Sequence, residues 1–178
     1  MTRIAAVTLA LLGTACWAVA QEAEQGPTKA VAVVHGLGNH HVHGTVTFVV
    51  DGEEVEVHIQ LAGLTPGEHA FHVHEFGDCS SKDGMSAGGH FNPEHAEHGH
   101  RTHGPRHVGD LGNIKADDQG NVDITFRDKV IKLHGPHSIV GRSLIVHEKP
   151  DEFTQPVGNA GGRVGCGVVG IAKGAAAR

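Results

Sequence analysis

The sequence contains no tyrosine, one tryptophan and few other aromatic residues, and aromatics make up 4% of its 178 residues. It is also poor in positive charge, since lysine and arginine number 14 against 20 acidic residues, for a formal net charge of −6. This balance argues against nucleic acid as a partner, because phosphate binding depends on positive charge. An anionic substrate would need a local positive focus within such a chain.

Long hydrophobic runs are missing as well. Residues 4–12 form a short apolar stretch after Arg3, and residues 18–20 (AVA) fit a small-residue cleavage site. The stretch is too short to span a membrane. We therefore predict a signal peptide over residues 1–20, no membrane span, and export to the periplasm or secretion. Cys16 leaves a lipid-anchored form as the alternative.

Cysteine is scarce, and only Cys79 and Cys166 remain once the predicted signal peptide is removed. Two cysteines in an oxidising compartment favour one disulfide, with two unrelated buried thiols as the alternative. Histidine, in contrast, is abundant, and its 17 residues outnumber lysine and arginine together. Because neutral imidazole is the commonest metal ligand, this composition suggests a metal protein without placing the metal.

The residues after the signal peptide favour β-structure. Residues 21–28 are polar and read as a flexible lead-in. In residues 53–61, Val55, Val57, Ile59 and Leu61 alternate with polar residues, as in a strand with one buried face. Asp51-Gly52 before them is a hairpin signal. Further strands are predicted at 30–34, 45–50, 69–76, 122–126, 138–146 and 165–172.

Two stretches, 77–109 and 151–162, follow neither period. A long irregular stretch in a compact domain is usually functional or disordered, and the histidines of the first favour function. The predicted fold is all-β: an eight-stranded antiparallel Greek-key sandwich or barrel with two long functional loops. We predict a single domain over residues 29–178.

Candidate metal ligands begin with His72 and His74, which lie two residues apart. On a strand such residues share a face, so both imidazoles can reach one ion. His107 and Asp110 form a second pair, and a His/Asp set suits zinc. The remaining candidates stand in the glycine-rich loop and at the end of an apolar strand: His90, His98 and His147.

Four segments strongly resemble signatures of the copper,zinc superoxide dismutases and occur in that family's order. The similarity extends over about residues 29–173, and the spacing after Cys79 resembles bacterial-type, exported members. The segments are 67–78 (GEHAFHVHEFGD), 89–93 (GHFNP), 106–113 (RHVGDLGN) and 158–167 (GNAGGRVGCG).

The resemblance implies one copper and one zinc ion per subunit. The implied copper ligands are His72, His74, His90 and His147. The implied zinc ligands are His90, His98, His107 and Asp110, so that His90 would bridge both ions. Replacement of His98 by a neighbour in the same loop, His95, His100 or His103, stays open.

The resemblance also implies supporting roles. Arg163 would attract the superoxide anion beside copper, with a surface cation as the alternative reading. Asp151 would hydrogen-bond both a copper and a zinc histidine, unless it is simply solvated. His69 would be structural beneath the site, and Cys79 and Cys166 would form the disulfide.

The implied activity is dismutation of superoxide to O₂ and hydrogen peroxide by a copper redox cycle, with zinc in an orienting role and His90 taking part catalytically with Arg163. A metal buffer and a metallochaperone are the competing functions. The copper ligands together with Arg163 favour the enzyme. A chaperone is expected to carry an additional cysteine-based motif for copper transfer, and the sequence has none. Residues 140–141 and 168–171 resemble dimer contacts, so a homodimer is possible on this reading.

Two features depart from the family pattern. Ala70 stands where glycine is usual, and its methyl group is expected to crowd the backbone. His40, His41 and His43 cluster beside the first hairpin, either as a metal-loading tract or as solvated loop residues.

Overall fold

The computed structural model describes residues 26–174. The predicted signal peptide, Cys16 and residues 21–25 of the predicted lead-in lie outside this range. Within it, the backbone oxygen of Thr28 accepts a hydrogen bond from the Val50 amide at 2.9 Å, so the end of the lead-in contacts the sheet. None of the helices in residues 26–174 has the length and apolar character needed to cross a membrane.

Eight antiparallel strands form one sheet that curls into a nearly closed barrel. The order across the sheet is β5-β4-β7-β8-β1-β2-β3-β6, so strands distant in sequence become neighbours through the crossovers of a Greek key. The strands are β1 (Lys29–Gly36), β2 (His43–Asp51), β3 (Glu54–Ala62), β4 (Gly67–Val73), β5 (Asp110–Ala116), β6 (Val122–Asp128), β7 (Ser143–His147) and β8 (Arg163–Ile171).

The alternating pattern of β3 places its apolar face inside the barrel. Val55, Val57, Ile59 and Leu61 are all buried, while the residues between them are exposed or half-buried. They join the main core, which includes Phe48 and side chains of the other strands. The prediction for this strand is confirmed.

Three strand predictions needed correction, and the first is that β4 ends at Val73 rather than at Phe76. β5 was not predicted, because six of its seven residues are not exposed and burial of both faces removes the alternation. β7 begins at Ser143 rather than Ser138, since Ile139 is buried within a turn that precedes the strand. Ala70 is fully buried in β4, and the pairing of β4 with β5 shifts register between Ala70 and His72.

The two predicted loops are present. The first joins β4 to β5 and contains a short 3₁₀ helix at Met85–Ala87, and the second joins β7 to β8. A disulfide between Cys79 and Cys166 links the first loop to β8 over 87 positions, with 5.8 Å between the Cα atoms. The predicted disulfide is confirmed, and the reading of two unrelated thiols is wrong.

Candidate metal centre

The first of two ligand groups consists of four buried histidines. His72 and His74 come from β4, and His147 ends β7, the strand paired with β4. His90 reaches the group from the first loop, where it forms an isolated bridge with His74. One ring nitrogen from each of the four lies within 4.8 Å of the others.

Unpartnered nitrogens in this group fit a metal ion. Four buried ring atoms have no hydrogen-bond partner: Nδ1 of His72, Nε2 of His74, and both Nδ1 and Nε2 of His147. In His72 and His74 the opposite nitrogen does have a partner, Asp151 Oδ2 at 2.8 Å and the Gly88 carbonyl at 3.0 Å. These bonds place the proton on the partnered nitrogen and leave a lone pair on the free one, the arrangement seen in metal-binding histidines.

The second group combines three histidines with one carboxylate. The carboxylate oxygens of Asp110 lie close to three ring nitrogens, at 2.9 Å from His90 Nδ1, 2.9 Å from His98 Nδ1 and 3.2 Å from His107 Nδ1. Three nitrogens and one oxygen are a common zinc set. His90 belongs to both groups, and because Nδ1 faces Asp110, Nε2 is the nitrogen left for the first group.

Asp151 joins the two groups from the second loop. Its carboxylate contacts His72 Nε2 at 2.8 Å and His98 Nε2 at 2.9 Å, and both contacts are fully buried. Gly158 makes this approach possible, since a Cβ at that residue would lie 1.9 Å from Asp151 Oδ1. Asp151 is therefore buried rather than solvated.

The first group holds neutral imidazoles. Burial is the main cause that lowers the pKa of His90 to about 4 and of His147 to about 2. Neighbouring histidines and, for His147, Arg163 add to the effect on each ring. Both side chains therefore keep the deprotonated form that a metal ligand requires at neutral pH.

In the second group, by contrast, the pKa of one histidine is raised when no metal is bound. Burial disfavours the charged form of His98, but hydrogen bonds and attraction to Asp110 and Asp151 outweigh it and raise its pKa to about 9. Burial likewise opposes ionisation of the two carboxylates, yet hydrogen bonds from the histidines hold their pKa values well below the usual range. The positive and negative charges are thus arranged around a cation position.

A cleft of about 680 Å³ opens onto the first group. His74, His90 and His147 line it together with Arg163, whose Nη1 and Nη2 donate to the carbonyls of Gly84 and Gly88, each at 2.7 Å. These two bonds hold the guanidinium at the cleft wall. Lys82 also lines the cleft, so Arg163 has a second cation beside it, which the sequence did not indicate.

His69 lies behind the site and contacts its ligand strand. The ring Nδ1 lies 2.7 Å from the backbone oxygen of His147, and Nε2 lies 2.8 Å from the backbone oxygen of Thr65 and 3.2 Å from its Oγ1. Each ring nitrogen therefore faces a backbone carbonyl that can accept a hydrogen bond from it. His69 thereby fixes the backbone of His147 without facing the metal groups.

Several positioning residues were missed by sequence reasoning. Arg106 is buried, pairs with both oxygens of Asp128 at 2.7 and 2.8 Å, and donates to the backbone oxygen of Asp110 at 2.6 Å. It therefore ties Asp110, a member of the second ligand group, to the end of β6. Its place inside the 106–113 segment was the available signal, but Asp128 lies 22 residues away.

Two amides clamp ligand backbones by paired hydrogen bonds. Asn113 accepts from the Asp151 amide at 2.7 Å and donates to the Asp151 carbonyl at 3.0 Å. Gln155 does the same to His98, at 3.0 and 2.8 Å. This clamp holds His98, and the crowding neighbours His95, His100 and His103 join neither group. No local pattern distinguished Gln155 beforehand.

The fold and the paired ligand groups define a two-metal β-barrel protein. A family model described as copper/zinc superoxide dismutase (SODC) matches residues 42–169. The chain therefore belongs to the copper/zinc superoxide dismutase family, whose cofactors are copper and zinc.

Relatives extend the match to most of the chain. An extracellular superoxide dismutase [Cu-Zn] of Drosophila melanogaster is 42% identical, covering 96% of this chain and 99% of the relative. An extracellular superoxide dismutase [Cu-Zn] of Brugia pahangi is 45% identical, covering 80% of this chain and 75% of the relative. Superoxide dismutase [Cu-Zn] 3 of Arabidopsis thaliana is 41% identical, covering 88% of this chain and 99% of the relative. The bacterial-type assignment stays a prediction.

A solved structure shares the fold. The crystal structure of the clock protein EA4 superimposes with a TM-score of 0.76 at 44% sequence identity, covering 83% of this chain and 97% of that one. This similarity agrees with the all-β architecture.

Proposed function

We propose that the chain converts superoxide to O₂ and hydrogen peroxide with copper held by the first ligand group and zinc by the second, one of each per subunit. The single observation that carries this assignment is the sharing of His90 between the two groups. Bound copper supplies a one-electron redox couple that both halves of a dismutation need, whereas zinc keeps its valence.

Arg163 binds and orients the anionic substrate. It carries a permanent charge, lines the cleft beside His74, His90 and His147, and is held in place by two backbone carbonyls. In a chain of formal charge −6, this cation supplies the local positive focus that an anion requires.

His90 positions the reaction and handles a proton. Its Nδ1 faces Asp110, and His90 lines the cleft, so that its Nε2, whenever it is not bound to an ion, can hold a proton and pass it to the peroxide product. Asp151 keeps His72 and His98 in fixed tautomers, so the two ligand groups hold their relative orientation.

A metal assay paired with a superoxide-decay assay on the purified chain tests this function. We expect both metals to be bound and superoxide to decay at a rate that requires copper. A protein that binds both metals without accelerating decay would instead be a metal buffer. The placement of Arg163 at the cleft supports the enzyme, because a buffer needs no anion-binding side chain.

The chain is exported, and we place it in the periplasm. Two relatives carry the word extracellular in their names, and the disulfide suits an oxidising compartment. Cell fractionation with a cytoplasmic marker checks this. Retention in membranes, lost on replacing Cys16 with alanine, would favour the lipid-anchored form.

A homodimer is supported by exposed apolar side chains on the outer face of β1 and β8. Val33 is 50% and Val168 41% exposed on this face, and Phe76 adds 59% nearby. Side chains of this kind gathered on one surface often mark an interface. Light scattering should give twice the chain mass, and Val168→Glu should halve it if this face forms the contact.

A further inference from the structure

The hairpin of β1 and β2 carries four histidines that belong to neither ligand group: His35, His40, His41 and His43. All four are exposed. The proposed reaction uses none of them, so their placement on the hairpin calls for a separate account.

Strand register brings two of them together. His35 on β1 and His43 on β2 are direct partners in the antiparallel pair. Partner residues project from the same face of a sheet with Cβ atoms about 4.5–5.5 Å apart. Both neighbours Val34 and Val42 are buried, so the two side chains project from the solvent face, where rotation about their side-chain torsions can bring both imidazoles onto one ion.

A hydrogen bond of His43 leaves one of its ring nitrogens free for a metal. His43 Nδ1 lies 2.9 Å from the carbonyl oxygen of His41, so Nδ1 donates its proton there and Nε2 keeps a lone pair. A hydrogen bond from the second ring nitrogen to a carbonyl commonly accompanies a metal-binding histidine. The ring of His35 borders an open depression of about 400 Å³ beside the disulfide, which leaves it accessible.

The same hairpin reaches the copper-side cleft. The turn that connects the two strands contributes Leu37, Gly38, Asn39 and His40 to the cleft wall. His35 and His43 lie outside the cleft, a few residues away along each strand. An ion bound by the pair would therefore stay close to the cleft without obstructing it.

We propose that His35 and His43 form an additional, exchangeable copper(II) site on the outer face of the sheet. Imidazole nitrogens suit copper, and copper(II) is the strongest binder among the divalent first-row ions. With two protein ligands and water in the other positions, this site binds copper more weakly than the four-ligand group and releases it to solvent.

The test uses protein whose two ligand groups are already filled with copper and zinc. Copper(II) chloride is then titrated in, and electron paramagnetic resonance counts added ions and their nitrogen couplings. We expect one added copper per chain, coupled to two nitrogens. His35→Gln and His43→Gln should each weaken this binding at least about 10-fold, because loss of one of two direct ligands should cost no less than loss of a residue that hydrogen-bonds a ligand.

His41→Gln is the matched control, because it keeps the carbonyl that accepts from His43 and leaves the added copper in place. Equal loss in this variant would show an unstructured histidine tract and overturn the pair. Unchanged binding in His35→Gln would do the same. Superoxide decay, measured in parallel, should remain unaltered in all three variants and reports intact folding independently of the added site.

A second measurement needs no variant. Diethyl pyrocarbonate modifies accessible imidazoles, and mass spectrometry of peptides locates the adducts. Added copper should protect His35 and His43 while leaving His41 reactive. Equal protection of all three, or of none, would contradict the proposal.

Discussion

The two ligand groups differ in what holds them and in what they face. The copper-side group is built on strands β4 and β7 and opens onto the cleft through His74, His90 and His147. The zinc-side group comes from the first loop and the start of β5, and its members His98, His107 and Asp110 lie outside the cleft wall.

The two ligand groups also differ in the charge of their side chains. The copper side consists of imidazoles kept neutral by burial, whereas the zinc side surrounds a raised-pKa His98 with Asp110 and Asp151. The comparison indicates a division of labour. In the proposed function, the cleft gives substrate access to the strand-held group, and the loop-held group would close around its ion and fix the loop.

Removing a ligand from the copper-side group should give the largest loss of dismutation. It also tests whether one group can lose its metal while the other keeps its own. His147→Ala deletes an unpartnered copper-side nitrogen and touches no zinc-side residue. We expect dismutation to fall by more than the roughly 100-fold upper range seen for indirect metal partners. Zinc content, measured by mass spectrometry, should remain one per chain. Joint loss of both metals would break the comparison.

Asp151→Asn should weaken both sides together, because its carboxylate contacts His72 and His98. The expected loss is about 10–100-fold in affinity for each metal, measured by chelator competition. Glu152→Gln, at the exposed neighbouring position, serves as the control. An effect on one metal alone would show that Asp151 does not couple the two groups.

Cleft charges should affect rate without affecting zinc. Arg163→Ala is expected to lower kcat/KM about 10-fold at low salt, and Lys82→Gln a few fold, as electrostatic attraction of the anion weakens. The dependence on ionic strength should flatten in both. Lys115→Gln, exposed on β5 outside the cleft, is the matched control. Unchanged rates at low salt would refute the role of Arg163.

The number of protons released when each metal binds to the metal-free chain should differ between the two ligand groups. At pH 7.5 His98, with a pKa of about 9, carries a proton that zinc must displace, whereas His90, with a pKa of about 4, is already neutral. Zinc loading should therefore release about one proton more than copper loading. An indicator dye in weak buffer measures this. Equal release for both metals would contradict the charge difference.

The same shift predicts a small stability effect. Because the folded pKa of His98 lies above the ordinary histidine value of 6.5, its stabilising contribution is complete below pH 6.5 and disappears as pH rises through about 9. The melting temperature of the metal-free chain should fall over this interval. His98→Gln should flatten the fall, and a rise with pH would show the opposite sign.

The strand-held side was easier to anticipate than the loop-held side. Period-two spacing indicated that His72 and His74 share a face, and alternation identified β3 correctly. The four family segments contain His90, His107 and Asp110, and the wider resemblance over residues 29–173 supplied His98 and His147. β5 was not predicted, because its residues are buried on both faces and show no alternation. The start of β7 was predicted too early, because the buried Ile139 lies within a turn.

Contacts that hold the loops could not be anticipated. The bonds from Arg106 to Asp128, from Asn113 to Asp151 and from Gln155 to His98 span 22, 38 and 57 positions. No local period encodes such distances, since they depend on how the crossovers of the barrel bring β5, β6 and the second loop together.

The sequence by itself determined the residue types of the site, the strand alternation and the cysteines available for a disulfide, because these depend on chemistry and on neighbours along the chain. Only the tertiary structure decided that His90 turns Nδ1 toward Asp110, that Lys82 stands with Arg163, and that His35 faces His43. Those relations are set by strand pairing and loop closure, which place atoms within a few ångströms irrespective of their separation in sequence.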